Sequence, residues 1–159
     1  MAYSTKWLRF RQAEEEYYTS RYDLLQDKAA LVDNLHQAFA RPQDRDTALR
    51  LLEQMTPDRA VLEPVLAQVV DTAIDSTDIT AIQLARQILL LYHAEPWVRS
   101  TLPLIITPYL AAQDEWHYRR IAELYALVHY DEELACFLLL CQASTNAEIR
   151  EISDDFAPS

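Results

Sequence analysis

The chain of 159 residues contains no glycine. At ordinary usage of roughly 7%, about eleven would be expected. Tight two-residue hairpins need positive φ at a central position, which glycine and asparagine supply at least cost. A glycine-free chain is therefore poorly equipped for an all-β fold. Phosphate-cradling loops and the Gly-x-Ser-x-Gly elbow are excluded as well, because a Cβ would block backbone that must approach its ligand. Helices have to close without the usual glycine at C′, by fraying or by the next helix starting at once. Closely spaced helices are the expectation.

A repeat points the same way. Ala48, Ala85 and Ala122 stand 37 residues apart, each inside an amphipathic stretch. Their apolar neighbours move with them. Leu51, Ile88 and Tyr125 form one ladder, Leu52, Leu89 and Ala126 a second, and Met55, Tyr92 and His129 a third. A fixed period of this length is how stacked helical hairpins register in a sequence. An irregular bundle of Ala- and Leu-rich helices is the other way to pack such segments.

Local signals divide the chain into nine helices. Trp7, Phe10, Tyr17 and Tyr18 recur at helical spacing, with Glu14-Glu15-Glu16 on the intervening, solvated face. Ser20 with Asp23 resembles a capping box, so a fresh helix is expected there, running to Arg41-Pro42. Asp44 or Asp46 can cap the next. Thr56-Pro57-Asp58 reads as N-cap, first-turn proline and a first-turn acid. That helix ends near Asp75-Ser76, and Thr77 or Asp78 caps one to about Tyr92. Its Ile88-Leu89-Leu90-Leu91 run is apolar on every side and marks a central helix. Glu95-Pro96, Asp114, Asp131 and the box Thr145-Asn146-Ala147-Glu148 open the last four. Residues 154–159 read as a loose tail.

From Leu62 onward the chain resembles a HEAT-type α-solenoid. Leu62-Glu63-Pro64-Val65-Leu66 leads through Asp75 and Asp78 to Ala81 and Ala85, and Leu102-Pro103-Leu104-Ile105 leads through Asp114 and Glu115 to Tyr118 and Ala122. The resemblance implies an all-α fold, a short α-solenoid of antiparallel helix pairs stacked right-handed. It also implies a concave face, lined by second helices, as the binding surface. The two prolines are 39 apart, so a loop must absorb two residues, and the Val-Arg pair common at the start of the second helix is missing. Residues 1–159 form a single domain, with 1–20 expected to fold over one end as a cap. Trp7, Phe10 and Tyr17 would cover the terminal apolar face.

Half the residues are hydrophobic, yet no apolar run approaches the roughly 20 needed to span a bilayer, and no signal sequence is visible. Cys136 and Cys141 are spaced to point apart and are expected as two buried, reduced thiols, consistent with a cytoplasmic location. The net charge of −11 disfavours nucleic acid and anionic membranes, and would attract a basic partner.

Little catalytic chemistry is legible. The Asp-x-x-His pairs, Asp33 with His36 and Asp114 with His117, share a helix face and are the only metal-like spacing. Asp114 is also needed as an N-cap. His93 and His129 close helices, where a cation suits the dipole, and His129 extends a core ladder. Neither cysteine sits at a helix start or beside a base. No catalytic residue, metal or cofactor is assigned. The 37-residue shift instead gives outward ladders of Asp46, Gln83 and Arg120 and of Leu49, Arg86 and Glu123, with Arg50 and Gln87 alongside. Leu90, Leu91 and Leu127 are candidates for an exposed apolar strip. The expected function is non-catalytic binding of one protein partner through these ladders, in the manner of an immunity protein neutralising a toxin. A scaffold or adaptor subunit is the alternative, followed by a metal-dependent enzyme built on the Asp-x-x-His pairs.

Overall fold

The computed structural model describes residues 2–157. Met1, assigned above to the capping segment, and Pro158 and Ser159 of the expected tail lie outside the described residues. Nine helices and no strand occur among the described residues: α1 Thr5–Gln26, α2 Lys28–Phe39, α3 Pro42–Met55, α4 Arg59–Asp75, α5 Ile79–Leu91, α6 Pro96–Leu110, α7 Glu115–Leu127, α8 Asp131–Gln142 and α9 Ala147–Asp155.

Short polar side chains start many of them by accepting the orphan N–H groups of the first turn. Ser4 caps α1, Asp27 caps α2, Asp78 caps α5 through Thr80 and Ala81, Asp114 caps α7 and Asn146 caps α9. Helix α1 does not break at Ser20. Nothing terminates it there, so it continues to Gln26, and Asp27 caps α2 instead. Neither Asp44 nor Asp46 caps α3, which begins on Pro42 with Asp44 in its first turn. Thr56 closes α3 rather than opening α4, and Pro57 lies between the two helices; Asp58 precedes α4 without a side-chain cap hydrogen bond, its carboxylate pairing with Lys28 instead. At the far end α9 runs on through Asp155, into the segment expected to be loose.

Three turns explain how the chain manages without glycine. Thr56, Gln113 and His129 take the left-handed conformation, at φ 43°, 50° and 58°. Helix ends therefore close neither by fraying nor by immediate restart alone. Each such residue carries a Cβ where glycine would be unstrained.

The core is centred on α4, which packs on α2, α5, α6 and α7. Its buried side chains include Val61, Leu62, Val65, Leu66, Val69 and Val70, and Pro64 is accommodated with its ring exposed. Ala48, Ala85 and Ala122 are all buried, at the contacts of α3, α5 and α7 with their neighbours. Small side chains there let helices approach closely. The second ladder is buried at Leu52 and Leu89, while the third runs out to an exposed His129 in a turn. Two tyrosines link successive helix ends: Tyr92 Oη donates to the Pro57 carbonyl and Tyr130 Oη to the His93 carbonyl, the latter at 2.8 Å.

Helix α1 behaves differently. It packs chiefly on α2, and none of its residues is buried. Trp7, Phe10 and Tyr17, expected to seal an end of the core, are 49%, 57% and 48% exposed. Of the three, Tyr17 reaches α3, where its Oη donates to Gln54 Oε1 at 2.8 Å. Leu91 is likewise exposed, so α5 is not surrounded on every side.

Candidate functional site

Helices α5 and α7 are in contact, and their outward residues meet across the seam between them. Arg86 on α5 donates from Nη2 to Glu123 Oε2 on α7 at 2.7 Å, linking residues one period apart. The Arg86 Nε lies buried without a hydrogen-bond partner. One turn earlier on α7 the Arg120 guanidinium lies 3.8 Å from the centre of the Trp116 ring. Its Nη1 donates to the carbonyl of Ser76, ahead of α5, at 2.8 Å. Arg119 donates to Glu115 and to Asp155, each at 2.8 Å. Arg86, Trp116, Arg119, Arg120 and Glu123, together with Ile82, line a depression of about 270 Å³.

The electrostatics follow from that crowding. Burial pulls the Arg120 guanidinium below the usual arginine range, and the neighbouring charge of Arg86 adds to the effect. Arg119 is pushed up by its hydrogen bonds to Glu115 and Asp155. Three arginines thus share one small area of an otherwise acidic chain, held in fixed geometry by carboxylates, a carbonyl and an indole face. A guanidinium anchored in this way loses less rotamer freedom when it meets a further acceptor.

Of the predicted surface residues, Arg86, Arg120 and Glu123 come together here, and Gln83 and Gln87 are exposed on α5. Asp46 and Arg50 do not join them. They form their own pair on α3 at 3.7 Å, and Arg50 lines a separate groove with Tyr17, Arg21, Leu24, Leu51 and Gln54. Leu49, assigned to an outward ladder, is fully buried. Helix α3 is covered by both α2 and α5, and its inward stripe takes in Ala48, Leu49 and Leu52. Trp116 and Arg119 fall outside the polar ladders because their counterparts one period earlier, Ile79 and Ile82, are apolar. The Glu115-to-Arg119 spacing was a readable helical pair.

The Asp-x-x-His pairs have structural partners. His36 Nδ1 lies 2.7 Å from Gln68 Oε1. His117 sits between two carboxylates, with Nε2 2.6 Å from Asp75. Its Nδ1 is 2.9 Å from Asp114 Oδ2 but lacks hydrogen-bond geometry, while Asp114 Oδ1 accepts the Trp116 N–H. No cluster of three or more His, Cys, Asp or Glu side chains suited to a metal occurs among the described residues. Both cysteines are free, but only Cys141 is buried, whereas Cys136 is exposed on α8. Burial pushes the Cys141 thiol up to about 11, which leaves it a poor nucleophile near neutrality. No described helix is long and apolar enough to cross a membrane. Comparison with known families found no family model that matches the chain, and comparisons with curated proteins and with solved structures found no match.

Proposed function

We propose that the chain is a non-catalytic protein-binding module, a neutralising inhibitor of the immunity-protein type, that engages its partner through the α5–α7 face. The Arg86–Glu123–Arg120–Trp116 arrangement carries this reading. Arg and Trp are the side chains most enriched among residues that dominate interface energies, and here they are pre-ordered around a shallow depression. The net charge of −11 steers a partner that is basic overall, and the arginine face then fixes its orientation.

We further propose that α2–α9 form a short HEAT-like solenoid of four antiparallel pairs. Each of α2/α3, α4/α5, α6/α7 and α8/α9 is in contact, as are α3/α5, α5/α7 and α7/α9 along the second-helix row. The matching Tyr92 and Tyr130 links support the same plan, since each reaches back to the turn of the preceding pair. One pair of helices per repeat gives a binding face of limited area, suited to one partner of standard interface size, about 800 Å² per side.

The test is affinity capture from the native host, then calorimetric titration of the identified partner. Arg86→Glu and Arg120→Glu are each expected to weaken binding by about 2 kcal/mol or more, the effect of losing an interface hot spot. A partner whose affinity survives both reversals places the interface elsewhere. Capture of several subunits of one assembly would favour an adaptor.

A further inference from the structure

The most conspicuous unsatisfied surface lies on α1. Trp7, Phe10, Tyr17 and Leu24, with Tyr3 just ahead of the Ser4 cap, are separated by the alternating steps of four and three that keep residues on one narrow helical stripe, with Glu14 and Arg21 in the two remaining places. The apolar residues of the stripe are all exposed, and its rings sit next to one another in tilted pairs, Tyr3 with Trp7 at 6.1 Å and Trp7 with Phe10 at 5.8 Å between centres. Most of a helix's stability in a protein comes from packing such a face, and large exposed apolar patches mark interaction sites.

The charges on the same helix say what covers it. Lys6, Arg9 and Arg11 precede Gln12, and Glu14, Glu15 and Glu16 follow it, in the amino-terminal part of the helix. Two such helices laid antiparallel about Gln12 set each basic block against the acidic block of the other copy. A parallel pair would set like on like. Polar residues within an apolar stripe, here Glu14 and Arg21, are the usual means of fixing register. The same antiparallel register brings Tyr3 and Trp7 of the second copy level with Arg21 and Tyr17 of the first. Those two residues form the lip of the groove of about 490 Å³ between α1 and α3, whose wall includes Leu24 and Leu51. The unpaired aromatic end of one chain thus faces the unfilled groove of the other.

We propose that α1 is a self-association helix, through which two copies of the chain pair antiparallel along the Tyr3–Trp7–Phe10–Tyr17 stripe. A bilayer surface is the competing occupant of an aromatic helix. It fits less well because Glu14 stands within the stripe, whereas an interfacial helix keeps its charges on the opposite face.

Sedimentation equilibrium of the full chain across the micromolar range tests this. A reversible dimer is expected. The double variant Trp7→Ala/Phe10→Ala should raise its dissociation constant about a hundredfold, the loss of two anchoring aromatics. Far-ultraviolet circular dichroism should remain strongly helical. Arg9→Glu/Arg11→Glu and Glu14→Arg/Glu16→Arg should each weaken the dimer, and an equimolar mixture of the two should restore it. A chain that stays monomeric throughout, a dimer indifferent to all three variants, or a mixture that fails to reassociate overturns the proposal. So does a monomer that floats with phosphatidylglycerol vesicles in a Trp7- and Phe10-dependent way, which would assign the stripe to a bilayer.

Discussion

Helices α1 and α4 are the two longest, but α4 is predominantly aliphatic, whereas α1 sets its aromatic rings among many charged and polar residues; α4 buries nine residues and α1 none. The difference is also one of position in the contact order. Helix α4 has neighbours on four sides, from α2 to α7, whereas α1 rests chiefly on α2 and reaches α3 by the Tyr17–Gln54 hydrogen bond. Composition and position thus act together: the aliphatic helix is the one enclosed. Flanking segments return to cover its faces, and α2–α9 cover one another and leave α1 outside.

This contrast predicts unequal mutational costs. Leu66→Ala in α4 should lower the unfolding free energy by about 2–5 kcal/mol, the cost of emptying a buried leucine site. Trp7→Ala in α1, measured by urea at a concentration where the chain is monomeric, should leave it nearly unchanged. Equal losses at the two sites would mean that α1 belongs to the cooperative core.

High pH should also attack the body rather than α1. Burial holds the Tyr92 and Tyr125 hydroxyls up to about 12 and the Cys141 thiol up to about 11, against ordinary values of 10.0 and 9.0. Each group is raised in the folded state, so its contribution is fully present below about pH 9 and is lost as pH rises toward 12. Absorbance at 295 nm should show Tyr92 and Tyr125, among several raised phenols that include Tyr109, ionising only as the helices melt. Ionisation of both while circular dichroism stays native would refute that burial.

Smaller effects sharpen the same comparison. Asp78→Ala removes the α5 cap and should cost about 1 kcal/mol globally, whereas Ser4→Ala removes the α1 cap and should reduce local helicity only. Smallest of all, His129→Gly should stabilise the chain by about 0.5–1 kcal/mol, because glycine takes the left-handed turn without a Cβ clash. A destabilised glycine variant would show that the His129 ring, 6.4 Å from that of His93, contributes more than its backbone costs.

Much of this was legible in the residues. The absence of glycine and the alanine ladder led to an all-helical chain with Ala48, Ala85 and Ala122 inside, and Asp78 and Asp114 were readable as caps. Signals that failed did so for local reasons. Ser20-Asp23 has the form of a cap, but a cap cannot end a helix that nothing interrupts. Thr56 precedes a proline, which disfavours the right-handed helical region and leaves it free to close α3. The surface ladders held between α5 and α7, where neighbours are equivalent, and failed at Leu49, where α2 and α5 enclose α3. That α1 would find no cover depended on how distant segments return, and no local pattern encodes that.

Native-state hydrogen exchange at two protein concentrations tests the separation of α1 from the body most directly. Amides of α4 should open only with global unfolding, while those of α1 should open at lower free energy and gain protection as concentration rises. Protection of α1 equal to that of α4 and independent of concentration would contradict the account.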